Sequence, residues 1–164
     1  LLHALPNPLP LPEYAVVAAA AVPEPFHTLL VHDQHMTETM ERYHGGPVVV
    51  RVQQSGRHGS WYVRQIQLLK AGTPTVVQGG VIRVDLDVCH PTVRKAILRE
   101  DTPLGHILMG HRVLRRIEPT AYLRIEPNLA FREWLDLQGT TYGRLGIIHT
   151  DERPAIELFE IVRL

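Results

Sequence analysis

The chain has 164 residues, 45% hydrophobic and 21% charged, the size and make-up of one globular domain with enough length to bury a core. Seventeen basic side chains balance seventeen acidic ones, so no net field draws the protein to nucleic acid or to an acidic membrane. The single cysteine, Cys89, leaves no internal disulfide to form and points to a reducing, cytoplasmic setting. With no partner pattern around it, Cys89 reads as a small half-buried side chain at a strand end rather than as a nucleophile.

Residues 1–22 read as a proline-punctuated lead-in. Their apolar stretch, Ala15 to Ala21, is far shorter than the ~20 residues a membrane span needs. No basic cluster precedes it, so no signal peptide is expected. Residues 23–164 read as a single domain. Pro25 to Val31 predicts a short helix with Phe26, Leu29 and Leu30 on one side. After the break His32-Asp33-Gln34-His35, a second helix runs from Met36 to Tyr43 and stops at Gly45-Gly46.

The apolar period then changes from helical to strand-like. Strands are predicted at Pro47 to Gln53, Ser60 to Lys70, Thr75 to Val84, Arg112 to Ile125, Thr141 to Thr150 and Pro154 to Val162. The links Ser55 to Gly59, Ala71 to Pro74 and Asp151 to Arg153 are too short for parallel crossovers, so these neighbours must be antiparallel. Helices are predicted from Pro91 to Glu100, from the restart Thr102-Pro103-Leu104-Gly105 to Gly110, and from Leu129 to Leu137. The sum is an α+β domain: a six-stranded, mostly antiparallel sheet with helices at its edges and over one face. No glycine-rich nucleotide fingerprint follows a strand.

Strand alternation isolates two charges. Tyr62, Arg64, Ile66 and Leu68 share one face of the second predicted strand, which makes Arg64 a cation in an apolar row. It is either a rim residue paired with an acid or a fork for a ligand carboxylate. Glu157 stands among apolar residues in the last strand, either as an arginine's structural partner or as an acid/base group at a pocket wall. Ten histidines raise the question of a metal, but His32 and His35 form H-x-x-H in a predicted break, without the i,i+4 spacing and carboxylate of a metal helix. On this spacing no metal is expected. No nucleophile elbow is visible, and the basic residues lack the aromatic interleaving of a nucleic-acid module.

Four segments, in order, resemble the chorismate pyruvate-lyase family: Leu29 to Thr37 followed by Met40-Glu41, Trp61-Tyr62-Val63-Arg64-Gln65-Ile66, Thr102-Pro103-Leu104-Gly105, and Ile156-Glu157-Leu158-Phe159. The resemblance spans residues 26 to 162. It implies a chorismate lyase-like fold with helical flaps over a buried pocket, and cofactor-independent elimination of pyruvate from chorismate to give 4-hydroxybenzoate. By the same resemblance Arg64 holds the ring carboxylate, helped by backbone groups at Met36 and Leu104. Glu157 then sits near the ether oxygen, with its role as base, acid or anchor open. The implied partner is a small-molecule substrate, with no nucleic acid and no membrane. The expected state is a monomer, with oligomers left open.

One departure concerns substrate. Family enzymes of the ubiquinone pathway place a second arginine on the third strand, where this chain reads Gln78-Gly79-Gly80-Val81; Arg83, Arg51 and Arg144 are all candidates to replace it. The same fold serves as the effector-binding domain of GntR-type regulators, which bind small acids without altering them. A non-catalytic binding protein for a small aromatic acid is therefore the alternative. No winged-helix module lies within the chain, which favours the enzyme.

Overall fold

The computed structural model describes residues 1–164. Seven antiparallel strands form one sheet: β1 (Glu13–Val17), β2 (Val48–His58), β3 (Trp61–Lys70), β4 (Val76–Asp85), β5 (Arg115–Glu126), β6 (Thr141–Thr150) and β7 (Arg153–Val162). Their spatial order is β1-β5-β6-β7-β4-β3-β2. The helices are α1 (Phe26–Leu30), α2 (Met36–His44), α3 (Pro91–Leu98), α4 (Leu104–Gly110) and α5 (Leu129–Leu135). The α+β class and the antiparallel sheet are as expected, with seven strands instead of six.

The additional strand, β1, lies inside the lead-in. It pairs with β5 at the sheet edge and is exposed along most of its length, so its sequence carries no alternation to betray a strand. A second difference is in the first hairpin. Ser55 to His58 continue β2 past a bulge at Val52/Gln54, and the chain turns at Gly59, whose φ of +60° suits glycine.

Hydrophobic side chains cover both faces of the sheet. On the back face Val63, Val81, Leu123, Ile125, Phe159 and Ile161 pack against Phe131, Trp134 and Leu135 of α5 and against Leu2 and Leu5. Asn128 caps α5 by accepting from Phe131 N at 3.1 Å. Gln54 ties down the lead-in by exchanging hydrogen bonds of 2.9 Å with the Asn7 backbone.

The front face carries two separate clusters. Ile82, Ile117, Ile148, Ile156 and Leu158 pack under α3 and α4, through Val93, Ile97, Ile107 and Leu108. Ile66, Leu68 and Val162 pack under α1 and α2, through Leu29, Leu30, Met36 and Met40. Leu29, Leu30 and Met40 are fully buried, each contributing about 1.5–3 kcal/mol of burial. Between the two clusters runs a seam, and the functional candidates gather there.

Candidate ligand-binding site

A cavity of about 50 Å³ occupies this seam. Its floor is sheet: Arg64 and Ile66 of β3, Gln78, Gly80 and Ile82 of β4, Leu158 and Glu160 of β7, Arg144 and Ile148 of β6 and Ile117 of β5. Its roof is helical, from His35-Met36-Thr37 at the start of α2 and Pro103-Leu104-Gly105 at the start of α4. The two helix starts meet closely because Gly105 has no side chain. A Cβ there would lie 2.7 Å from Thr37 Oγ1. Neither helix has a side-chain cap at its N-terminus, and α2, with nine residues, directs the positive end of its dipole to this region.

Arg64 is 1% exposed, and its Nε and Nη1 have no hydrogen-bond partner. Burial pushes its guanidinium below the ordinary arginine value, while the neighbouring Tyr62 and Glu100 pull it back up. Tyr62 is itself held, donating to Glu100 Oε1 at 2.6 Å. Arginine keeps its proton even so, which leaves a desolvated, incompletely bonded cation against the cavity.

Arg144 is equally buried and fully engaged. Its Nε donates to Glu160 Oε2 at 2.7 Å, and its Nη atoms donate to the carbonyls of Leu30 (3.2 Å), His32 (2.8 Å) and Gln34 (3.2 Å). It therefore staples the α1–α2 connection to the sheet and sets where α2 begins. His35, buried in the roof, accepts a hydrogen bond from Arg115 Nε. Its pKa is pushed down to about 4 by burial, then by the charges of Arg115, Arg144 and His106, so it is neutral at pH 7.

Arg64, Met36 and Leu104 line one cavity, and Glu157 does not join them. Arg64 is level with Ile82 on β4 and with Leu158 on β7, so the neighbouring Glu157 points to the opposite face. There it accepts from Arg83 Nη2 at 2.5 Å, with both side chains 36% exposed. Arg83, another candidate for the second cation, is accordingly outside the cavity, and exposed Arg51 does not line it either. The carboxylate on the Arg64 face is Glu160. Of the three candidates for a second cation only Arg144 lines the cavity; Gln78, Glu160 and His35 line it too, without having been proposed as ligand contacts from the sequence. For Glu160 the signal was present in the alternation Ile156, Leu158, Glu160, Val162, but choosing that row required the register.

Glu157 instead borders a groove of about 470 Å³ on the back face, lined mostly by apolar residues such as Leu2, Leu123, Leu145 and Phe159. Its carboxylate is already paired with Arg83, and no lysine or arginine lines this groove to receive a small acid. No cluster of three or more histidine, cysteine or carboxylate side chains could hold a metal, and no helix is long and apolar enough to cross a membrane.

The architecture has counterparts among solved structures. PhnF from Mycobacterium smegmatis superposes with a TM-score of 0.62 at 10% identity, over 81% of this chain and 65% of that one. The two chains share a fold. The PhnF effector domain taken alone gives a TM-score of 0.56 at 10% identity, with 79% of this chain and 88% of that domain covered. A possible transcriptional regulator, YydK from Bacillus subtilis, gives 0.50 at 10% identity, with coverages of 71% and 58%. The chain thus spans somewhat under two thirds of the PhnF and YydK chains, and at these identities the likeness is one of fold. No protein-family model and no curated protein sequence matches.

Proposed function

We propose that this chain is a binding domain for a small aromatic carboxylate, which it holds through Arg64 and the backbone at Met36 and Leu104 and does not chemically alter. The observation that carries this reading is the 1% exposure of Arg64 with two of its nitrogens unpartnered. A buried cation lacking partners costs several kcal/mol, and an entering carboxylate would supply the missing charge and acceptors together. The uncapped start of α2 adds donors and positive potential at the same place. Apolar walls from Ile66, Ile82, Ile117, Ile148 and Leu158 suit a ring. The shared fold with a domain named an effector domain supports binding over turnover.

At about 50 Å³ the cavity holds water-sized groups, so a ring enters only when α2 and α4 part. His106 Nε2 and Glu41 Oε2, 3.2 Å apart, link those two helices on the outside.

Calorimetric titration with benzoate tests the proposal. Wild-type protein should bind, and Arg64→Met should lose about 100-fold or more in affinity, as expected when a charged hydrogen-bonded contact disappears. Equal binding by both proteins, or none by either, rejects the site. The lyase expected from the family resemblance is judged in the same preparation by pyruvate release from chorismate. With Glu157 turned to the other face, no release above the spontaneous rate is expected; sustained turnover would restore the enzyme reading.

A further inference from the structure

The cavity holds a second unsatisfied group. Gln78 is 3% exposed, and its Oε1 has no hydrogen-bond partner although the residue lines the same space as Arg64. A buried acceptor left without a donor is destabilising, so its persistence at a cavity wall points to a ligand group.

The charges of the site set its preference. The titratable residues lining it are His35, Arg64, Arg144 and Glu160. His35 is neutral at pH 7. Arg144 and Glu160 neutralise one another at 2.7 Å. Arg64 alone is left in excess, which matches a single negative charge and not two.

Spacing completes the argument. Gln78 pairs with Leu68, four residues along β3 from Arg64, so at ~3.3 Å per residue the backbone positions that carry the two anchors stand about 13 Å apart along the strands. Between them lies Gly80, which carries no side chain of its own and has the apolar Ile66 side chain beside it. A para-substituted ring with a ~2.8 Å hydrogen bond at each end spans about that length.

We propose that Gln78 is the second polar anchor of the site, and that the ligand carries one carboxylate for Arg64 and, at the far end of its ring, a neutral hydrogen-bond donor for Gln78 in place of a second carboxylate. This rests on the reading of Arg64 as the carboxylate anchor. It makes Gln78 the specificity-determining residue and disfavours dicarboxylates such as chorismate.

The test is a calorimetric series on the wild-type protein with benzoate, 4-hydroxybenzoate, 2-hydroxybenzoate and terephthalate. The 4-hydroxy acid should bind about tenfold tighter than benzoate, the value of one added hydrogen bond, while the 2-hydroxy isomer and the dicarboxylate gain nothing. Gln78→Leu should bring 4-hydroxybenzoate down to the affinity that the same variant shows for benzoate, removing the tenfold preference. If that variant does not fold, the wild-type series decides alone. Equal affinity for benzoate and 4-hydroxybenzoate, or tightest binding of terephthalate, overturns the role of Gln78 while Arg64-dependent benzoate binding still stands. Absence of Arg64-dependent binding by any of the four removes both readings.

Discussion

Arg64 and Arg144 reach the same cavity from β3 and β6, each 1% exposed, in opposite states of satisfaction. Arg144 has a carboxylate and three carbonyls; Arg64 has two nitrogens with no partner. One arginine is spent on holding the roof to the sheet, and the other has donors to spare. The difference separates the expected consequences of mutating them.

Arg64→Met should abolish benzoate binding without loss of fold stability. Replacing a buried, poorly partnered cation by an apolar side chain of similar length is neutral or stabilising by about 1–4 kcal/mol. Urea denaturation should give an unchanged or raised midpoint. A clear drop would show that Arg64 is a structural residue.

Arg144→Met should behave oppositely. It strands Glu160 and releases the carbonyls of Leu30, His32 and Gln34, at a cost of about 3–5 kcal/mol. The denaturation midpoint should fall strongly, and the Arg144→Met/Glu160→Leu double variant should recover part of the loss. Strictly additive losses would deny the coupling.

Glu157→Gln should leave benzoate affinity unaltered and change stability by less than about 1 kcal/mol, because its partner Arg83 is as exposed as it is, at 36%. A large loss of binding would place Glu157 in the site despite its position on the back face.

Two adjacent glycines should respond differently to alanine. At Gly80 the new Cβ would rest 3.4 Å from Ile66 Cδ1, an ordinary contact, so Gly80→Ala should fold and weaken benzoate binding by about tenfold through lost floor space. At Gly79 the Cβ would drive into Leu135 of α5, so Gly79→Ala should cost about 1–3 kcal/mol of stability. Denaturation and titration of both variants would distinguish the two faces.

Stability should fall on acidification in a window set by His35. The unfolded imidazole takes a proton near 6.5, and the folded one only near 4, so between those values the unfolded chain binds more protons. The His35 contribution is complete above pH 6.5, declines as pH falls, and is gone below about 4. At 1.36 kcal/mol per pH unit the loss amounts to about 3 kcal/mol at most. His32 shifts the same way, by burial and then by Arg144. Denaturation midpoints at pH 7, 5.5 and 4.5 should converge for His35→Gln relative to wild type; parallel pH profiles would refute the assignment.

From β2 onward the order of elements is legible in the sequence, because a core imposes periods that local composition must obey. Alternation marks β3 to β7, Gly45 ends α2 with a φ of +66°, and Pro91 opens α3. It also showed that Arg64 is out of place among Tyr62, Ile66 and Leu68. It could not reveal β1, which buries almost nothing and therefore has no pattern. Nor could it decide which acid shares a face with Arg64. Glu157 and Glu160 lie on opposite rows of one strand, and a register change of one residue would exchange them. Only the pairing of Arg64 with Ile82, and of Ile82 with Leu158, brought Glu160 inward and sent Glu157 to Arg83. The engagement of Arg144 and the isolation of Gln78 likewise depend on what stands opposite each side chain in space, which tertiary structure alone decides.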